Sequence, residues 1–106
     1  MPYIEQGKRL YIDDDINELK RGLISNFGSE DIEGALHYVI AQLLEVIPQS
    51  SSLSGEWRYK YINRASGVLT QVQENFDERI VKPYERMAME KNGDISSYAK
   101  FDDSRK

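Results

Sequence analysis

Cysteine is absent from the 106 residues. Disulfides, thiol nucleophiles and sulfur-ligated zinc are therefore excluded. Histidine occurs once, at His37, so the usual multi-histidine zinc site is excluded too. No nucleophile elbow, Walker loop or dinucleotide-binding glycine motif is found. No stretch approaches the roughly 20 consecutive apolar residues of a membrane span. The start, Met1 to Gln6, has no basic region followed by an apolar run, so no signal peptide is expected. These absences lead us to expect a cytoplasmic protein with no cofactor, no metal and no membrane partner.

The composition is otherwise that of a folded chain, 40% hydrophobic and 30% charged. The length suits one domain. Net charge is -4 and the pI is about 5.0. Phosphate binding needs clustered Lys and Arg, so a globally acidic chain is a poor nucleic-acid binder.

Hydrophobic periodicity predicts an all-α fold: a three-helix domain over residues 1–94, followed by a flexible polar tail over 95–106. The first helix starts at Asp13-Asp14-Asp15, whose carboxylates suit the positive end of a helix dipole. Ile16, Leu19, Leu23 and Phe27 share its inner face, and Gly28 is expected to close it as a left-handed cap. Ser29 suits an N-cap for the second helix. Leu36, Val39, Ile40, Leu43, Leu44 and Ile47 form its apolar stripe, and Pro48 is expected to end it. Gln49 to Gly55 is a serine-rich connector with the composition of a mobile loop.

The third helix is the main feature. It is expected to run from about Trp57 to about Lys91, with a proline kink at Pro83 and a stop at Asn92-Gly93. An apolar stripe runs from Tyr61 through Val68, Leu69, Val72, Phe76, Ile80 and Tyr84 to Met87. Unbroken, such a helix would reach about 50 Å, whereas its two predecessors would reach about 21 and 27 Å. Either the first two helices stack end to end along it, or a second copy covers its remaining half. A homodimer or higher oligomer is the expectation, two-fold pairs being the commonest assemblies.

Four groups of residues could carry chemistry. Trp57, Arg58, Lys60, Tyr61 and Arg64 interleave aromatic and basic side chains at a helix start. That pattern suits a small anionic ligand, since stacking, cations and a helix N-terminus all favour one. It also suits packing of the aromatics with the cations left in water. His37 adjoins the apolar stripe of the second helix, and as a general base it would need a partner the sequence does not place. Asp15/Glu18 and Glu30/Glu33 have the i,i+3 carboxylate spacing of all-α, magnesium-dependent nucleotide hydrolases, but both pairs lie in first turns that capping already explains. Arg79, Lys82, Glu85 and Arg86 flank Pro83 on a solvated face.

Several segments together resemble a family of small, uncharacterised helical proteins of prokaryotes and their phages. They are Met1-Pro2-Tyr3-Ile4, Gly34 to Ile40, and Arg79-Ile80-Val81-Lys82-Pro83-Tyr84-Glu85 followed by Lys91-Asn92-Gly93-Asp94. Relative to that family the chain departs at His37, where Asn is usual, and at Asp77, where an aromatic is usual. The resemblance implies no activity. It implies that Tyr38, Arg79, Pro83, Tyr84, Glu85 and Asn92 belong to a recurring structural or binding unit; His37, where the chain departs from the family, is a candidate member of that unit without that support. The expected function is a non-enzymatic interaction module whose oligomeric helical surface binds a protein or a small anionic ligand. The alternatives are the magnesium-dependent hydrolase and weak nucleic-acid binding through residues 57–64.

Overall fold

The computed structural model describes residues 3–104, and every regular element among them is helical. A 3-10 helix, Gln6–Tyr11, precedes α1 (Asp13–Asn26), α2 (Ile32–Leu44), α3 (Val46–Ser51) and α4 (Tyr59–Phe76). A π-helical turn, Asp77–Val81, leads into α5 (Lys82–Asn92), and α6 (Ser96–Ser104) follows. The all-α class agrees with the sequence reading, but the helices are more divided than the expected three. The chain groups into two compact units, one ending at Val68 and one starting at Leu69. The expected start at Met1 and Pro2, and the last two tail positions, lie outside the described residues.

In the first unit, Asp13, Asp14 and Asp15 fill the first turn of α1, where their charge meets the helix dipole. The helix does not end on a left-handed Gly28. Gly55 and Gly93 are the glycines with positive φ among the described residues. Instead Phe27 turns extended with its N–H on Leu23 O at 3.2 Å, and two side chains of the last turn fold back onto carbonyls of the helix. Ser25 Oγ donates to Arg21 O at 2.8 Å and Asn26 Nδ2 to Gly22 O at 2.7 Å. Ser29 is likewise not the cap of α2. That helix starts at Ile32, after a turn in which Gly28 O accepts the N–H groups of Asp31 and Ile32.

Pro48 does not terminate a helix. It lies in the first turn of α3 and is buried. First-turn N–H groups have no intrahelical partner, so a residue lacking one fits there, with φ already set. The serines after it are likewise not a free loop. Ser50 and Ser51 donate their hydroxyls to Ile47 O at 3.1 and 2.8 Å. The turn into α4 passes Gly55 at φ 65°, where an added Cβ would lie 3.2 Å from Gln49 Cγ. The best-buried positions of this unit are Pro48, Tyr61 and Ala65. Tyr61 and Ala65 are one turn apart on α4 and therefore share a face.

In the second unit, regular α geometry stops at Phe76 and resumes at Lys82. Lys82 N–H donates to Asp77 O, five residues back rather than four. Pro83 sits at the start of α5. Its missing N–H is harmless at the head of a new segment, whereas in a continuous helix its ring would press on the carbonyl of residue 79. The expected proline break is therefore present as a π turn placed just before the proline. Gly93 adopts the expected left-handed stop, φ 94°, with its N–H on Met89 O at 2.8 Å. Residues assigned to the tail form α6 as far as Ser104. Asp94 Oδ1 accepts the Ile95 N–H at 2.6 Å just ahead of it.

Candidate functional site

The aromatic-basic segment splits into packed and exposed members. Arg58 O accepts the N–H groups of Tyr61 and Ile62, both at 2.9 Å, and so opens α4. Tyr61 is only 4% exposed, so its ring fills the interior of the first unit instead of offering a stacking face. Lys60 Nζ lies 5.2 Å from the centre of that ring, a cation–π distance. Arg64 Nη1 donates to Ser51 Oγ at 3.0 Å, tying α4 to the end of α3. Trp57, Arg58 and Lys60 stay exposed. The first turn of α4 holds no acid, and Glu56, just before Trp57, is the one acid beside these cations.

His37 and Tyr38 are exposed on α2, and Tyr38 Oη accepts from Gln42 Nε2 at 3.1 Å. Arg79, Pro83, Tyr84 and Glu85 lie in the second unit, around the π turn. Tyr84, Met87, Ala88, Lys91 and Asn92 line an open hollow of about 420 Å³ there. Another, of about 460 Å³, lies in the first unit between Tyr3, Ile4, Arg9, Ile12, Asp13 and Ile16. Arg9 Nε donates to Ile4 O at 3.2 Å beside it.

Glu78 and Lys82 form an ion pair one turn apart. Lys82 holds the Glu78 carboxyl below its ordinary range by hydrogen bonding and charge, and Glu78 pushes the Lys82 ammonium up by the same two causes. The Glu78 contribution is present above the ordinary carboxylate range and is lost as pH falls through its depressed pKa. The Lys82 contribution is present below the ordinary lysine range and is lost as pH rises through its raised pKa. The pair is thus intact across neutral pH. Both side chains are mostly in water, which makes its effect small. Thermal melts of wild type and Glu78→Gln are expected to differ slightly at neutral pH and to coincide in strongly acidic buffer.

Among the described residues, no three acidic or histidine side chains converge on a point where they could hold a metal ion. The pairs Asp15/Glu18 and Glu30/Glu33 therefore do not come together as the hydrolase reading needs. No helix among the described residues is long and apolar enough to cross a membrane.

The conspicuous feature is apolar exposure. The chain exposes 9678 Å². Two separate compact units sharing its mass would together expose only about 7,300 Å² by the usual area–mass scaling. Leu69, Val72, Phe76, Ile80, Tyr84 and Met87 of the second unit are all exposed. The stripe is legible in the sequence, and of its members only Tyr84 is also a candidate site residue there. The usable signal was the spacing, which gains one extra residue between Phe76 and Ile80.

A family described as a domain of unknown function, DUF6899, matches residues 1–95. The chain belongs to that family. The DUF6899 match takes in the π turn, Pro83 and the Gly93 stop, and it ends immediately before α6. No curated protein and no solved structure matches the chain.

Proposed function

We propose that this DUF6899 chain is a non-enzymatic interaction module that acts as a homo-oligomer. Its helical surface binds a protein or a small anionic ligand, in the cytoplasmic and phage-related setting that the sequence resemblance suggests. One observation carries the reading. The chain exposes about 2,400 Å² more than two compact units of its mass would. Within that surface Leu69, Val72, Phe76, Ile80, Tyr84 and Met87 form one exposed stripe, and contiguous exposed apolar surface marks interaction sites. Trp57, Arg58 and Lys60, exposed around the start of α4, are the best candidates for meeting an anion. No geometry favours the hydrolase or the nucleic-acid reading.

Sedimentation velocity and native mass spectrometry test this directly. The expected species has at least twice the chain mass of 12.3 kDa. Its melting temperature should rise with protein concentration, as mass action requires of a folded oligomer. A monomer throughout the micromolar range, with a concentration-independent melt, would remove the proposal.

A further inference from the structure

The stripe of the second unit is symmetric about position 78. Phe76 and Ile80 lie two residues either side of it, Val72 and Tyr84 six, and Leu69 and Met87 nine. All six side chains are between 42% and 67% exposed. In a continuous α-helix the step from Phe76 through Ile80 to Tyr84 would drift round the axis, since two successive four-residue steps overshoot a 3.6-residue period. The π turn at Asp77–Val81 absorbs one residue at this point, so the two halves of the stripe stay on one face.

Charge follows the same division. Residues 69–78 carry Glu74, Asp77 and Glu78 and no base. Residues 79–91 carry Arg79, Lys82, Arg86 and Lys91 against Glu85 and Glu90. Two such helices side by side in parallel would set the acidic half against an acidic half. Antiparallel about position 78, Glu74 and Asp77 of one copy meet Lys82 and Arg79 of the other; only Glu78 meets its own counterpart, and each Glu78 is paired with Lys82 of its own chain, whereas like-charge juxtaposition along the whole half is costly at an interface.

We infer that the stripe from Leu69 to Met87 is the seam of a two-fold, antiparallel pair with a second copy of this chain, crossing at the π turn. The inference rests on the oligomeric reading above and names its partner, surface and orientation. Phe76 of each copy packs on Ile80 of the other, Val72 on Tyr84, and Leu69 on Met87. Leu69 thereby enters the hollow lined by Tyr84, Met87, Ala88, Lys91 and Asn92. Asp77 faces Arg79 and Glu74 faces Lys82 across the seam, at its rim. A stable interface takes about 800 Å² from each partner, and all six side chains of the stripe are exposed and available to it.

The absence of cysteine makes site-directed disulfide trapping clean. Leu69→Cys and Met87→Cys chains are prepared separately, oxidised alone, then mixed under reduction and oxidised together. Mixed chains are expected to give one covalent dimer, and each chain alone none. Covalent dimers from either chain alone would indicate a parallel pair and overturn the antiparallel seam. No covalent dimer in any mixture, from a chain that sediments as an oligomer, would place the interface elsewhere and leave the oligomeric reading standing. No covalent dimer from a chain that sediments as a monomer would overturn both. In support, Phe76→Asp at the centre should weaken self-association by about 30-fold or more, the loss of one interface hot spot, with the helical circular dichroism retained. Unchanged association would count against the seam.

Discussion

Replacing Tyr61 by Ala is expected to unfold a large fraction of the first unit. Its ring is 4% exposed, the lowest among the core side chains other than Pro48. Removing a buried aromatic side chain typically costs about 3–5 kcal/mol, part from lost transfer and part from the cavity left behind. Whole domains are stable by only about 5–15 kcal/mol. Few other residues here are buried, so little remains to hold the unit when this ring goes. Tyr59, two residues earlier, is the internal control. It shares the residue type and the helix but is exposed, so Tyr59→Ala should stay within about 0.5 kcal/mol of wild type. Urea titrations followed by far-ultraviolet circular dichroism, at fixed protein concentration, measure both. Fluorescence of the sole tryptophan, Trp57, reports the same transition near the site. Equal losses for the two variants would contradict the packing role of Tyr61. A large loss at Tyr61 alone would establish that this member of the aromatic-basic segment belongs to the interior.

That segment illustrates what a sequence can and cannot disclose. Trp57, Arg58, Lys60, Tyr61 and Arg64 have a spacing that fits both a ligand platform and a packed helix start. Spacing fixes which side chains share a face, but not which face meets the body. The outcome depended on α3, whose Ser51 takes Arg64. From sequence that element is expected to be a loop. The expectation takes proline as a helix stop, whereas a first-turn proline costs nothing. The composition of the serine run is that of a flexible linker. In the fold the hydroxyls of Ser50 and Ser51 turn back onto Ile47 O, an option serine always carries. Gly28 does not act as a left-handed stop because the chain leaves α1 one residue earlier, where Phe27 turns extended.

The second unit was more legible. The Asn92-Gly93 stop follows from the freedom of glycine at φ 94°. The long apolar stripe was readable from its period. What the period could not disclose was the way in which Pro83 would be tolerated. A kink, a clean break and a π turn all relieve the same clash. Only the π turn leaves the two halves of the stripe aligned. The helix thus reconciles a local constraint, the proline, with a long-range one, a continuous apolar face.

A register test on this turn should give the largest contrast between two variants that differ little in composition. If the turn holds one residue in excess of α geometry, removing Glu78 should let the helix run as regular α. Combining the deletion with Pro83→Ala removes the clash that regular geometry would otherwise restore. In that variant the apolar positions fall at alternating three- and four-residue steps, the spacing of a helix-pairing seam. Self-association is expected to stay within about threefold of wild type, a difference well under 1 kcal/mol. Deleting Gln73 instead, from the regular part of α4, rotates everything after it by about 100° relative to Leu69 and Val72, one residue's share of a 3.6-residue turn. The stripe is then broken in two, and association should weaken by about 30-fold or more, as for loss of a central anchor. Sedimentation equilibrium on both variants, with circular dichroism to confirm that each remains helical, measures the contrast. Equal weakening by the two deletions would mean that the π turn serves Pro83 alone and has no part in aligning the face. Weakening by the Gln73 deletion alone would tie the turn, through the register it preserves, to the pairing of two chains.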